Sequence, residues 1–438
     1  MSTNRFNYNK PKPKNNKSLR VLIFGLGLNG GGVGSAKFFS RQGAKVLVTD
    51  LKNKRLLAAS LAKLAPFPNI KYALGKHQLN DFLSSDLIVK NPAIPWNNPY
   101  LRQAQAKGVP ITTDVMVFFE QTPALTIGIT GTKGKSTTAT LLTKILKKKY
   151  RRVWLLGNIR ESLLENLPQI KPNDIIVAEL SSFQLEDLAF IKKSPQIAII
   201  TNIFPDHLNR YGSMGKYSQA KANIFKYQNS SDHLIINGND KFLVNLAKST
   251  KARKHFIKNE NLSPWEINIA LAMEAAKILK VPENKIQETI KNFRGITGRQ
   301  ELIRKFKNRI FINDTTATNP TAVSMALQFS AKKYQRPIIL IAGGQNKNLD
   351  YRKIAGEINK KTKSLILLPG SATEELKKFL KINFSEAKNM KEAVKKAYKT
   401  SQAGDLILLS PGAASFNIFQ NEFDRGDQFN KYVKELIN

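Results

Sequence analysis

Leu125-Thr-Ile-Gly-Ile-Thr130 leads directly into Gly131-Thr-Lys-Gly134-Lys135-Ser136-Thr137, and residues 138–146 continue as an apolar helix-like stretch. A strand, a glycine turn and a helix in that order aim backbone N–H groups at one point, where phosphate is held. Lys135 can reach β and γ oxygens there, and Ser136 can hold Mg²⁺. The common G-x-x-x-x-G-K-[ST] loop would need glycine at position 129, which is Ile129, so this is a shorter variant. A glycine-rich turn with a solvated lysine is the plainer reading. The flanking strand and helix speak against it.

Working outward, the same alternation repeats along the chain. Before the loop, strand-like runs fall at residues 19–24, 45–50, 86–90 and 109–112, with helix-like stretches between them. After it come runs at 175–179 and 196–202 and an amphipathic helix at 266–279. A third set lies at 310–313, 337–341, 364–368 and 405–409, each followed by a small-residue loop. Strands alternating with helices imply parallel sheets, with those loops gathered on the carboxyl edge. The expectation is an α/β protein of three domains. A disordered basic tail is expected over 1–18, and the domains over 19–121, 122–297 and 298–438.

Gly25-Leu-Gly27-Leu-Asn29-Gly30 follows the first strand, and Asp50 lies downstream at the end of the second. This is the setting of a dinucleotide fingerprint, so NAD is the first inference. Many α/β units open with such a turn, and the nucleotide stays undecided on these residues alone. Acidic residues at strand ends are more telling. Glu179 closes one strand and Asp206-His207 follows the next. Adjacent parallel strands would bring Glu179 and His207 beside the phosphate loop, where they could serve a metal on a triphosphate. That points to ATP chemistry.

Composition narrows the alternatives. The 438 residues contain no cysteine, which excludes disulfides, thiolate metal sites and a Cys nucleophile. Only four histidines occur, none close to another in sequence, so a histidine metal cluster is not expected. Lys+Arg number 70 against 32 Asp+Glu, a net charge of +38 that invites a nucleic-acid reading. The lysines are spread over nearly every helix-like segment, and no nucleic-acid-binding motif accompanies them, so no specific nucleic acid is expected. No apolar run is long enough to span a membrane. A cytoplasmic monomer is expected.

Taken together, these strings resemble the Mur ligase family, and within it the D-glutamate-adding branch. The residues that carry the resemblance are Gly25–Gly34, Asn91-Pro-Ala-Ile-Pro95, Gly128–Thr137, Gly157-Asn158-Ile159, Glu179–Glu186 and Thr201–Tyr211. Asn313–Pro320, Gly343–Lys347 and Leu408–Asp427 extend it to the C-terminus, and the string Phe423-Asp-Arg-Gly-Asp427 looks particular to that branch. The resemblance implies a Rossmann-like domain binding UDP in place of NAD, a central P-loop ATPase domain with a mostly parallel sheet, and a C-terminal Rossmann-like domain. It implies ATP-dependent joining of UDP-N-acetylmuramoyl-L-alanine and D-glutamate through an acyl phosphate, in peptidoglycan precursor synthesis.

Site residues follow from the same resemblance. Gly27, Asn29, Asp50 and Asn91 would bind the UDP-sugar, with Asn158 and Ser182 on the muramoyl-alanine part. Gly131, Thr132, Lys133, Gly134, Lys135, Ser136 and Thr137 would hold the ATP phosphates, Asn268 the adenine, Asp314 the ribose and Arg299 the γ-phosphate. Ser136, Glu179, His207 and Lys221 would serve two Mg²⁺ ions, Lys221 as a carbamate. Lys135, His207 and Lys221 would be the catalytic set, and Thr318, Lys347 and Ser415 would hold D-glutamate. The adenine string reads Pro264-Trp-Glu-Ile-Asn268, which keeps only Asn268 of the family pattern, and Thr316 stands where a lysine often sits. The rivals are a same-fold ligase of the folylpolyglutamate synthase type and a non-catalytic polyanion-binding relative.

Overall fold

The computed structural model describes residues 19–27, 30–159, 161–293, 295–346, 349–415 and 418–436. The expected tail over 1–18 lies outside these. The chain forms two compact units, Met1–Asn292 and Phe293–Asn438.

The first unit contains two sheets. One is built from β1 (Arg20–Phe24), β2 (Lys45–Asp50), β3 (Ile70–Leu74), β4 (Leu87–Lys90) and β5 (Ile111–Thr112), all parallel in the order β3-β2-β1-β4-β5. Both faces are covered, which is why Val21-Leu-Ile-Phe24 is continuously apolar rather than alternating. Val21 and Ile23 pack with Val33 and Phe38, while Leu22 and Phe24 pack with Phe82 and Leu101. Strand order reverses at β1, so the loops after β1 and β4 flank a crevice at the carboxyl edge.

The second sheet has β6 (Leu125–Thr130), β7 (Val153–Gly157), β8 (Ile175–Glu179), β9 (Ile197–Ile200), β10 (His233–Asn237) and β11 (Arg253–Ile257). Its order is β11-β10-β9-β6-β8-β7, again all parallel. The reversal falls at β6, directly under the phosphate loop. Register sets Ile129 opposite Glu179 and Thr130 opposite Ile200, so the strand ends that carry the acidic and polar residues are level with that loop.

In the second unit, β12 (Glu301–Phe306) pairs antiparallel with β13 (Arg309–Asn313) through a tight turn. Lys307 and Asn308 take φ of 45° and 55° there, as a two-residue hairpin demands. β14 (Ile338–Gly343), β15 (Ser364–Leu368), β16 (Phe384–Glu386) and β17 (Leu406–Leu409) complete the order β12-β13-β17-β14-β15-β16. Arg425 is wholly buried and ties two loops together, donating to Thr315 Oγ1 and O and to Ala413 O. Among the described residues no helix is long and apolar enough to cross a membrane.

The α/β class and the parallel sheets match the reading from sequence. Six strands were not anticipated: β3, β7, β10, β11, β12 and β16. Five of these, all but β10, lie at sheet edges, and several carry polar residues, such as Arg253-Lys-His-Phe-Ile257 in β11. An edge strand buries less, so its sequence carries less apolar signal.

Candidate active site

The phosphate loop is shaped by two glycines. A side chain at Gly131 would collide with Thr201 Oγ1, and one at Gly134 with the amide of Asn268. Gly134 also takes φ 85° as it opens the helix Lys135–Leu146. The segment after β9 braces the loop from one side. Lys133 N donates to Asn202 Oδ1 at 2.9 Å, Thr201 Oγ1 donates to Lys133 O at 2.6 Å, and Thr132 N donates to Asn202 O at 2.9 Å. Lys135 folds over the loop, with Nζ donating to Gly131 O at 2.9 Å and Thr132 O at 3.2 Å. Ser136 Oγ is buried and has no hydrogen-bond partner among the described residues.

Three further groups converge on this loop. Glu179 is buried at the end of β8. Asn158 Nδ2 donates to its Oε1 at 3.0 Å, and its Oε2 has no partner among the described residues. Lys221, on the helix Met214–Lys226, is 2% exposed and donates to Gly131 O at 3.0 Å. Burial, then the charge of Lys135, pushes its amine down to about 7, against the pull of Asp206 and Glu179. His207 takes φ 53°, a conformation that non-glycine residues adopt mainly under local constraint. Its ring packs against Phe183 at 5.1 Å. Burial and the cations Lys221, Lys135 and Arg210 lower its pKa, and Asp206 opposes them. A neutral imidazole is therefore favoured, the form that can donate a lone pair to a metal.

On the first sheet, Gly27 N donates to Asp50 Oδ2 at 3.0 Å and Ser60 Oγ donates to Gly27 O at 3.0 Å. Asn91 lies across the β1–β4 crevice, its Nδ2 3.4 Å from Gly25 O. Asn29 lies outside the described residues. Ser182 is buried in the first turn of the helix Ser182–Phe190.

In the second unit, Asp314 is buried after β13. Its two oxygens accept from Gln300 N at 3.1 Å and Ser410 Oγ at 2.9 Å. Burial pushes its carboxyl up to about 7, opposed by these bonds and by the charge of Arg299. Ser415 Oγ is buried without a partner among the described residues, and Thr318 is half-buried in the loop after β13. Lys347 lies outside the described residues.

Residues 19–113 match the Mur ligase MurD-like N-terminal domain, 129–300 the Mur ligase middle domain and 298–412 the Mur ligase glutamate ligase domain. The UDP-N-acetylmuramoylalanine–D-glutamate ligase of Roseiflexus sp. (strain RS-1) is 36% identical, covering 95% of this chain and 98% of that one. The chain belongs to the Mur ligase family. The ligase of the same name from Borreliella afzelii (strain PKo) is 37% identical over 96% of this Mur ligase and 98% of its own length. Among solved structures, the UDP-N-acetylmuramate–alanine ligase of Thermotoga maritima shares the fold with TM-score 0.61 and 18% identity, covering 95% and 99% of the two chains.

In this Mur ligase, Lys135, Ser136, Glu179, His207 and Lys221 surround one loop, as their positions after β6, β8 and β9 led us to expect for the first four. Asn158, expected on the muramoyl-alanine part, reaches Glu179. The chemistry of the donors fits a hard cation. Ser136 Oγ and Glu179 Oε2 are buried oxygens that no described residue satisfies, and such atoms are costly unless something else pairs them. Among the described residues no three His, Asp or Glu side chains form a metal cluster, so a divalent ion here would take its remaining ligands from water or phosphate oxygens. Residue-by-residue reading overlooked Asn202 as a brace of the loop and Arg425 as the tie between two loops. Both lie inside strings quoted for the resemblance, but nothing in a string reveals which side chain turns inward.

Proposed function

We propose that this Mur ligase adds D-glutamate to UDP-N-acetylmuramoyl-L-alanine at the expense of ATP, in peptidoglycan precursor synthesis. The observation that carries the reading is the convergence of Lys135, Ser136, Glu179, His207 and Lys221 on one phosphate loop. A carboxylate is inert toward an amine until one oxygen becomes a leaving group. Phosphorylation by ATP makes it one, and attack by the D-glutamate amine then releases phosphate. Lys135 neutralises the β and γ oxygens, and backbone N–H groups at the start of the helix Lys135–Leu146 hold the phosphates in line, those of Thr132 and Lys133 being engaged by Asn202. Ser136, Glu179, His207 and a carbamylated Lys221 would hold two Mg²⁺ ions, which when bound supply Lewis-acid neutralisation of the triphosphate. Asn158 orients Glu179 for that task.

Gly27, Asn29, Asp50 and Asn91 form the UDP-sugar side of this reading, within a domain over 19–121, and Asn158 and Ser182 meet the muramoyl-alanine part from a domain over 122–297. Asn268 against Gly134 is suited to the adenine side of a domain over 122–297. Arg299, Asp314, Thr318, Lys347 and Ser415 complete the ATP and D-glutamate contacts from a domain over 298–438. Phosphate release from ATP in the presence of UDP-N-acetylmuramoyl-L-alanine tests the whole reading. D-glutamate should stimulate it, and L-glutamate or L-alanine should not. Equal stimulation by L-glutamate would overturn the choice of amino acid.

The choice of nucleotide has its own test. UDP at about a hundred times its Kd should stabilise the protein by about 2.7 kcal/mol, and NAD should leave the thermal midpoint unchanged. Stabilisation by NAD alone would restore the dehydrogenase reading of Gly25–Gly30.

A further inference from the structure

A buried ion pair lies outside the groups used so far. Lys90 is the last residue of β4, immediately before Asn91, and its side chain is 0% exposed. Its Nζ lies 3.0 Å from Asp187 Oδ1, on the helix Ser182–Phe190, and 4.6 Å from the centre of the Trp96 ring. Trp96 Nε1 donates to the same Asp187 oxygen at 2.8 Å. One carboxylate thus holds both ends of the loop 91–95. A further tie crosses its middle, where Arg210 Nη1 donates to Ala93 O at 2.7 Å and Nη2 to Glu186 Oε2 at 3.2 Å.

An isolated buried ion pair is weak evidence for stability, because desolvation offsets much of its attraction. The unusual feature is what this pair joins. One partner adjoins Asn91 at the crevice of the first sheet. The other is on the helix that begins three residues after Glu179, beside the phosphate loop. We propose that Lys90 and Asp187 are positioning residues: their contact, with Trp96, fixes the sugar-nucleotide loop against the helix that follows Glu179. The substrate carboxylate is thereby delivered to the phosphate at a set distance. This rests on the reading of Asn91 as a UDP-sugar contact.

Replacing both charges by apolar side chains of similar size separates placement from stability. The Lys90→Met/Asp187→Leu variant should unfold near the parent's thermal midpoint, since no charge is left unpaired and the Trp96 N–H loses only this acceptor. By isothermal calorimetry it should bind ATP within about twofold of the parent but UDP-N-acetylmuramoyl-L-alanine about tenfold more weakly. Trp96→Phe, which removes the N–H donor together with the five-membered ring, should move the second affinity in the same direction and leave the first unchanged. Equal losses for both ligands would mark the pair as structural and overturn the proposal. So would undiminished sugar-nucleotide affinity in the double variant. If the parent itself fails to bind UDP-N-acetylmuramoyl-L-alanine, the reading beneath the proposal falls with it.

Discussion

Lys135→Ala is expected to lose two to three decades or more of ATP turnover, about 3 kcal/mol or more in the barrier, from the removal of one preorganised electrostatic group. The loss should come without unfolding. The helix Lys135–Leu146 is anchored by its buried residues, Leu141, Leu142 and Ile145 among them, and not by the lysine. The bonds from Nζ to Gly131 O and Thr132 O that the truncation removes lie at the rim of the loop. Steady-state phosphate release and a thermal melt on the same preparation check both halves. Residual ligase activity above roughly a tenth of the parent, a barrier change of only about 1.4 kcal/mol, would remove Lys135 from the reaction.

Lys221→Ala should abolish activity as well, but with a different response to additives. A carbamate forms when a neutral amine captures CO₂, and burial with the nearby Lys135 cation brings the Lys221 amine down to about 7. Near neutral pH far more of it is therefore uncharged and able to react than of an ordinary lysine. The amine as it stands donates to Gly131 O and Thr130 Oγ1, and it would repel a divalent ion; the carbamate offers hard oxygens in its place. Truncation to alanine leaves a space beside the Tyr217 ring that a short carboxylic acid can enter. Acetate should then restore part of the activity of Lys221→Ala and none of that of Lys135→Ala, whose missing group is a cation. Labelled bicarbonate should give a carbamate carbon resonance in the parent that is lost in Lys221→Ala. Full activity in Lys221→Ala, or equal rescue of the two variants, would falsify the assignment.

Much of this protein is legible from the chain alone, for identifiable reasons. Strands buried on both faces, such as Leu406–Leu409 and Ser364–Leu368, announce themselves as apolar runs. Phe384–Glu386 does not, because a short edge strand buries little. The phosphate loop is readable because its function needs consecutive residues: the glycines, Lys135 and Ser136 are neighbours in sequence. Glu179 and His207 are readable because parallel strands of known register end together. The bond from Asn158 to Glu179 was invisible because β7 was not anticipated, and with it the register that sets Gly157 opposite Glu179; the pair Lys90–Asp187 was invisible because it joins a strand to a helix whose approach depends on how it packs. Likewise Arg425 sits in a recognisable string, yet its inward turn to Thr315 and Ala413 is a property of the packed unit.

The antiparallel strand β12 has a consequence for dissecting the chain. It covers the outer side of β13, whose Ile310, Phe311 and Ile312 are buried. A fragment beginning at Phe293 carries this strand with it and keeps the apolar segment capped. One beginning at Arg309 would uncover the N–H and C=O groups of an entirely apolar stretch, a template for intermolecular strand addition. Light scattering should therefore find the shorter fragment self-associating where the longer one stays dispersed, although both retain every loop on the carboxyl edge. The hairpin at Lys307 and Asn308 thus guards the C-terminal unit against aggregation, a task separate from any chemistry.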